Sequence, residues 1–162
     1  MRKKPRIGDV IEIPTPKGFT YAHYTHKHSE PPTWGAVIRV LPGMFSERPT
    51  SFVALVQQQP QFITFFPLGA ACNRSIVFVA GSEDIPPHAR EFPVFRSSRR
   101  DLLSCQRFAP WFLWDGRREW LSDSLTQEQI RAYPPMSIIN DIALIERILS
   151  GWRHEDDNLP NA

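Results

Sequence analysis

The sequence lacks the features of membrane-spanning and disulfide-stabilised proteins. No apolar run approaches the roughly 18–20 residues that a membrane helix needs. The only two cysteines, Cys72 and Cys105, lie 33 positions apart, which favours reduced thiols over a disulfide framework. The basic residues at positions 2–4 are not followed by the apolar stretch of a signal peptide. We therefore expect a soluble, cytoplasmic protein.

The sequence also lacks the common catalytic and nucleotide-binding motifs. Its eight glycines are scattered through predicted turns, and no Walker, GxGxxG or GxSxG pattern occurs. Neither cysteine carries a local signature of an activated nucleophile. We predict no catalytic residue and no cofactor, and we expect the protein not to be an enzyme.

One group of histidines has the residue types of a metal site. His23, His26 and His28 lie within six residues, with Glu30 nearby, and three imidazoles could supply an open zinc site. However, the spacing matches no HExxH helix, and the segment runs into Pro31-Pro32. We expect an exposed loop over residues 25–33 without a bound metal; a metal-dependent or cysteine enzyme is the third hypothesis.

Proline is the abundant residue. The chain has 16 prolines in 162 residues, compared with a usual share of about 5%, and they are spread along its whole length. Because proline is excluded from helix interiors and central strands, the regular elements must be short. This composition argues against a helix bundle or a doubly wound sheet and favours short antiparallel strands.

Short apolar or alternating runs bounded by turn residues predict the strands. They are Ile7–Ile13, Phe19–Tyr24, Trp34–Leu41, Ser51–Val56, Phe62–Phe66 and Ser75–Val79. Two further runs, Trp111–Trp114 and Arg117–Leu121, flank an Asp-Gly pair that is typical of a type I′ hairpin turn.

Helices are predicted only near the C-terminal end. Thr126 and Gln129 have the spacing of a capping box, so a short helix should follow and stop before Pro134. A second helix is predicted over residues 140–151. Its expected core-facing stripe is Ile142, Ile145, Leu149 and Trp152, widened by Ile138, Leu144 and Ile148.

These elements predict an α+β fold. We expect a strand-rich antiparallel sheet or small partial barrel with a C-terminal hairpin and two short helices. Residues 1–154 should form a single globular domain with a basic start over residues 1–6, and residues 155–162 a flexible acidic tail.

Arginines and aromatic residues together mark a candidate binding surface. This combination is typical of protein-binding hot spots and also of single-stranded nucleic-acid platforms. A third interpretation is that the aromatic residues fill the core while the arginines are solvated. The net charge is only +2, with 19 basic and 17 acidic residues, so we expect at most weak, salt-sensitive nucleic-acid binding. The candidate partner-binding residues are Arg99, Arg100, Trp111, Trp114, Arg117 and Arg118.

Segments at both ends of the chain resemble one protein family. In chain order they are Ile7–Pro14, the Tyr21 strand, Trp34–Val37, Trp114–Gly116, Leu125–Gln129, Asp141–Ile148 and Gly151-Trp152. In their order and spacing these segments resemble the immunity protein 26 family of bacterial polymorphic toxin systems.

The resemblance implies a small cytoplasmic protein that is made beside a toxin and neutralises it. The expected partner is a cognate toxin domain, bound stoichiometrically, with no membrane partner. The alternative hypothesis is a small-barrel nucleic-acid-binding or adaptor module that uses the arginine–aromatic surface. Neither the toxin nor the oligomeric state follows from the sequence.

Overall fold

The structure, a computed structural model, describes residues 4–98 and 111–157. The chain divides into two units: a large unit, Met1–Glu91 with Ser137–Trp152, and a small unit, Phe92–Met136 with Arg153–Ala162. The predicted single domain over residues 1–154 stays a prediction. Residues 1–3 of the basic start and residues 158–162 of the predicted tail lie outside the described residues.

The described residues form eight strands and four short α-helices. The strands are β1 (Asp9–Thr15), β2 (Gly18–His28), β3 (Gly35–Val40), β4 (Phe62–Phe66), β5 (Phe78–Ser82), β6 (Phe95–Ser98), β7 (Trp111–Trp114) and β8 (Glu119–Ser122). The helices are α1 (Val53–Val56), α2 (Leu68–Asn73), α3 (Gln127–Ala132) and α4 (Asp141–Ser150).

Five strands of the large unit form an open antiparallel sheet in the order β4-β3-β2-β1-β5. In its register Val10 lies opposite His23, His23 opposite Arg39, and Arg39 opposite Ile63. Directly opposed residues of neighbouring strands point to the same face. One row of side chains on one face therefore combines two apolar residues with a histidine and an arginine.

Each face of this sheet carries its own hydrophobic cluster. The larger cluster includes Ile11, Ile13, Ala22, Tyr24, Ile38, Val40, Phe62 and Phe66 together with residues of α2 and α4. The smaller cluster, on the opposite face, consists of Val10, Tyr21, Leu41, Phe52, Leu55 and Val56. Alternation along the strands thus buries both faces of the sheet, as expected where helices and loops cover an antiparallel sheet.

Helix α4 covers the larger cluster with only part of the predicted stripe. Leu144 and Ile148, which widened that stripe, are its buried residues, whereas Ile142 is 64% exposed and Ile138, before the helix, is 51% exposed. At 100° per residue Ile142 lies about 160° around the helix from Leu144, so the two cannot share a face. Of the predicted stripe, Ile145 and Trp152 pack partly against the cluster.

The ends of α4 follow the sequence signals. The Asn140 side chain accepts a hydrogen bond from the backbone N–H of Ala143 at 2.8 Å. Gly151 ends the helix with φ +68°, in the left-handed region that favours glycine. Beyond it, Trp152 meets the ring of Phe62 edge-on, with the centroids 5.4 Å apart.

The secondary structure predicted for two segments is wrong. Residues 51–56 were expected to be a strand, but they contain helix α1, which buries Leu55 and Val56 in the smaller cluster. A run this short cannot distinguish a buried strand from one helical turn by periodicity. Residues 25–28 were expected in a loop, but they continue β2 past a bulge at Thr25.

Two boundaries also differ from the predictions. Helix α2 follows Pro67 directly and buries Leu68, Ala71 and Cys72, although no helix was expected before residue 126. Strand β5 begins at Phe78 rather than at Ser75, because Ser75 takes a positive φ of 57°, which ends α2 in a turn.

The small unit contains a three-stranded antiparallel sheet in the order β6-β7-β8. Helix α3 begins with the predicted capping box: the Thr126 hydroxyl accepts from the Gln129 N–H, and the Gln129 side chain accepts from the Thr126 N–H. The predicted α+β fold with antiparallel strands, a hairpin and C-terminal helices is confirmed.

Candidate functional site

The hairpin of β7 and β8 turns over four residues between the closing pair Trp114 and Glu119. The carboxylate of Asp115 accepts hydrogen bonds from the backbone N–H groups of Arg118 at 2.8 Å and Arg117 at 3.0 Å. These bonds to Arg118 and Arg117 lower the pKa of Asp115 below its usual value. The Asp115 side chain therefore fixes the turn and keeps its negative charge at neutral pH.

Glycine is required at position 116 of this turn. Gly116 takes φ +93°, and a Cβ atom there would lie 2.9 Å from the ring of Phe92. The hairpin prediction is correct in position. The turn is not type I′, however, because among the described residues of the turn only this glycine has a positive φ.

The structure buries one of the predicted partner-binding residues. Trp114 is 6% exposed, and its ring packs 5.6 Å from that of Phe92 and 6.0 Å from that of Phe95, measured between centroids. Positions 111 and 114 are three apart on a strand, so their side chains point to opposite faces. Trp114 is therefore a core residue of the small unit rather than an exposed anchor.

The other predicted residues divide into three groups. Arg99 and Arg100 lie outside the described residues. Trp111 is half-buried, with the guanidinium of Arg96 5.6 Å from its ring centroid. Arg117 and Arg118 are exposed at the hairpin tip.

The two most exposed apolar residues of the hairpin are not among the six candidate partner-binding residues, although Trp120 belongs to the arginine–aromatic pattern of the sequence. Trp120 is 38% exposed and Leu121 is 60% exposed. They are neighbours on β8, so they point to opposite faces and show that neither face of this strand is fully covered. Among the described residues, β8 pairs with β7 alone. We call Arg117, Arg118, Trp120 and Leu121 the hairpin surface.

The charges around the hairpin surface have mixed signs. Between the two exposed arginines and the apolar pair lies Glu119, which is exposed, and Asp123 follows directly after β8. Asp115 adds a third carboxylate at the turn. This surface is therefore apolar with interspersed charges of both signs rather than uniformly basic.

Two of the three histidines singled out by the sequence, His23 and His26, bond to neighbouring backbone or side-chain groups. The Nε2–H of His23 donates to the backbone carbonyls of Gly8 and Glu83, at 3.0 Å each. The Nε2–H of His26 donates to the carbonyl of Arg90 at 2.8 Å, and its Nδ1 accepts from the Thr25 hydroxyl at 2.9 Å. Within residues 4–98 and 111–157, no three His, Cys, Asp or Glu side chains are grouped so as to hold a metal ion.

The buried carboxylate and thiol of the large unit are enclosed as well. Glu12 accepts hydrogen bonds from Arg48 Nε at 2.7 Å and from the Tyr21 hydroxyl at 2.9 Å. The hydrogen bond from Arg48 is the main cause that lowers the pKa of Glu12. Cys72 is buried in the larger cluster, and burial raises the pKa of its thiol, which makes it a poor nucleophile. Cys105 lies outside the described residues.

A cavity of about 610 Å³ opens beside the start of β1. Its lining includes Gly8, Glu83, Asp84 and Arg90. The cavity is wide open to solvent. Its carboxylates and guanidinium lie beside apolar residues such as Ile7, and its lining includes no buried nucleophile. This depression does not have the enclosed, convergent polar groups of a catalytic pocket.

No helix within the described residues is long and apolar enough to cross a membrane. Comparison with protein-family models, with curated proteins and with solved structures finds no match to this chain.

Proposed function

We propose that this protein is a cytoplasmic immunity protein that binds a cognate toxin domain stoichiometrically, and that the hairpin surface is its principal contact. The observation that carries the proposal is the exposure of Trp120 and Leu121 beside two exposed arginines. The resemblance of both chain ends to an immunity-protein family supports the class of partner.

The composition of the hairpin surface suits a protein partner. Trp and Arg are the residue types most enriched among binding hot spots, because they bury a large area at modest entropic cost. Adjacent apolar residues exposed on both faces of one strand are costly to leave in water. A partner that covers β8 would remove both from solvent.

The rigidity of the hairpin also favours binding. The Asp115 carboxylate accepts hydrogen bonds from both arginine backbones, and these bonds hold the tip in its turn conformation. A preformed surface loses less conformational entropy on association than a mobile one.

A nucleic-acid partner fits this surface less well. Phosphate binding needs several cations without intervening carboxylates. Here Asp115 and Glu119 flank the two arginines and would repel a phosphate backbone.

An alanine scan tests the proposal. The partner is the toxin domain encoded beside this gene, purified with its active site inactivated. Trp120→Ala and Leu121→Ala should each weaken binding by about 2 kcal/mol, roughly thirty-fold, as hot-spot residues do. The matched control is Ile142→Ala, which removes an equally exposed apolar side chain from α4 in the large unit.

The affinity of the Ile142→Ala variant should equal that of the wild type. Equal losses in all three variants, or no loss in the two hairpin variants, would show that the hairpin surface is not the contact.

A further inference from the structure

Among the described residues, three of the four edge strands of the two sheets are bridged by another segment or paired irregularly. At the outer edge of β4, the carbonyl of Phe65 accepts a hydrogen bond from the N–H of Ile139 at 3.2 Å. At the outer edge of β6, the N–H of Arg96 donates to the carbonyl of Pro134 at 2.9 Å. The pairing of β5 with β1 shifts register after Val10. Bridges and irregularities of this kind discourage the addition of a further strand.

Strand β8, the fourth edge, has neither kind of protection within the part of the chain that the structure describes. It pairs there with β7 alone, and the register is regular from Glu119 to Ser122. Its two central residues are Trp120 and Leu121, whereas exposed edges are usually blunted by charged residues or by proline. The outer edge of β8 is therefore suited to pairing with another strand.

The turn determines which backbone groups of β8 point outwards. The N–H of Asp115 donates to the carbonyl of Arg118 at 3.2 Å, so these two positions form a hydrogen-bonded pair. Hydrogen-bonded and non-hydrogen-bonded pairs alternate along an antiparallel ladder. Trp120 therefore bonds to β7, whereas the N–H and C=O groups of Glu119 and Leu121 point away from β7. Two donors and two acceptors lie along the outer edge.

The side chains of β8 are exposed on both faces of the sheet. Trp120 is 38% exposed, whereas Leu113, directly opposite on β7, is 2% exposed. On the other face, Leu121 is 60% exposed and lies opposite the half-buried Phe112. A helix or a loop that rested on one face would cover only one of the two exposed residues. An added strand covers both, because its own side chains alternate between the faces.

We propose that the toxin domain binds β8 by adding an extended segment of its own as a fourth strand of the small unit's sheet. This inference rests on the proposed function and specifies what the partner presents to the hairpin surface. The main chain of the added strand pairs with Glu119 and Leu121, which supplies affinity with little dependence on sequence. Its apolar side chains pack beside Trp120 on one face and beside Leu121 on the other, which supplies specificity.

Hydrogen exchange of the isolated protein, followed by nuclear magnetic resonance, tests the open edge without a toxin. The backbone N–H groups of Glu119 and Leu121 should exchange at least about ten-fold faster than that of Trp120, because only the last is bonded to β7. Sedimentation of the same sample should show a monomer. Protection of the Leu121 N–H in a monomer would show that the edge is already paired, and protection in a dimer would assign it to a second copy. Either result would overturn the proposal.

Two variants at one position separate the backbone contact from the side-chain contact. Leu121→Ala and Leu121→Pro both lose the leucine side chain, but only the proline variant also loses the outward N–H. Proline is tolerated at an edge position whose N–H faces solvent, and thermal unfolding checks that both variants are folded. Leu121→Pro should bind the inactivated toxin domain at least about ten-fold more weakly than Leu121→Ala, because a carbonyl of the added strand is left without its donor.

A backbone ester at position 121 gives the same comparison if Leu121→Pro does not fold. Incorporating the α-hydroxy analogue of leucine removes the N–H and keeps the side chain, so binding should weaken about ten-fold relative to the wild type. The control is the same replacement at Ile142, whose N–H lies in the first turn of α4 and has no intrahelical acceptor; the affinity should not change.

The outcomes distinguish this inference from the proposed function. Strand addition is wrong if the folded Leu121→Pro variant binds as tightly as Leu121→Ala, or if the ester at position 121 binds as tightly as the wild type. In that case a loss of affinity in Trp120→Ala would still support the hairpin surface as the contact. If the wild-type protein did not bind the toxin domain at all, the proposed function and strand addition would both be refuted.

Discussion

Arg39 and Arg96 are 7% and 1% exposed, and replacing each of these two buried arginines with methionine should change stability in opposite directions. Methionine has a similar length and adapts to irregular space, so Arg39→Met and Arg96→Met both remove the charge with little change in packing volume. In Arg39→Met a charged group whose burial is unfavourable disappears. In Arg96→Met the carbonyl of Tyr133 loses its donor, and that of His154 keeps the backbone N–H of Asp157.

The magnitudes follow from burial and hydrogen bonding. Burial lowers the pKa of Arg39 from its ordinary value to about 10, and at about 1.4 kcal/mol per pKa unit this lowering corresponds to about 3 kcal/mol. Because the folded-state pKa is lowered, this cost is present in full at pH values below the folded-state pKa of about 10 and declines only as the pH rises from there towards the unfolded-state pKa. We expect Arg39→Met to raise the free energy of unfolding at pH 7 by about 1–3 kcal/mol. The loss of its two hydrogen bonds to backbone carbonyls should make Arg96→Met less stable by about 2–5 kcal/mol.

Urea unfolding at pH 7 measures both effects. Thermal unfolding gives the same comparison, because for a chain of this length a change of about 1 kcal/mol in the free energy of unfolding shifts Tm by roughly 2–4 °C. If Arg39→Met lost as much stability as Arg96→Met under these conditions, Arg39 would have a structural partner and the reasoning would be refuted.

Three further substitutions test individual parts of the structure. Gly116→Ala should lower the free energy of unfolding by about 1–3 kcal/mol, since it combines a positive φ with a steric clash; thermal unfolding measures this. Leu144→Ala should cost about 2–5 kcal/mol, whereas Ile142→Ala should change stability by less than about 0.5 kcal/mol; equal costs would contradict the observed face of α4. Glu12→Gln should lose about 1–2 kcal/mol above pH 5, because the lowered pKa of Glu12 stabilises the fold above its unfolded pKa. That difference from the wild type should close as the pH falls through the folded-state pKa, which urea unfolding at several pH values can follow.

Local sequence signals predicted those elements whose ends are fixed by capping residues or by turn residues. Thr126 with Gln129 fixed the start of α3, and Gly151 the end of α4, because capping bonds form within a few residues. The Asp-Gly pair predicted the hairpin for the same reason. Segment 51–56 failed because its six residues fit a buried strand and a helical turn equally well.

Burial of individual side chains could not be predicted from the sequence. The sequence left open whether the aromatic residues of the hairpin lie at the surface or in the core, and Trp114 was placed among the candidate partner-binding residues. Trp114 fills the interior, because Phe92 and Phe95 approach from outside the hairpin. Arg39 was not singled out at all. Its burial depends on the strand register, which places His23 and Ile63 beside it. Both outcomes follow from long-range packing that no local pattern records.

The central claim is that this protein neutralises a toxin by direct binding, and calorimetric titration tests it most directly. The wild-type protein is titrated into the toxin domain encoded beside its gene, at low and at moderate salt. The account predicts one-to-one binding that persists at moderate salt, since an interface built on Trp120 and Leu121 depends little on exposed charges. It would be contradicted if the toxin domain did not bind while the isolated protein bound DNA or RNA tightly, with an affinity that fell steeply with salt.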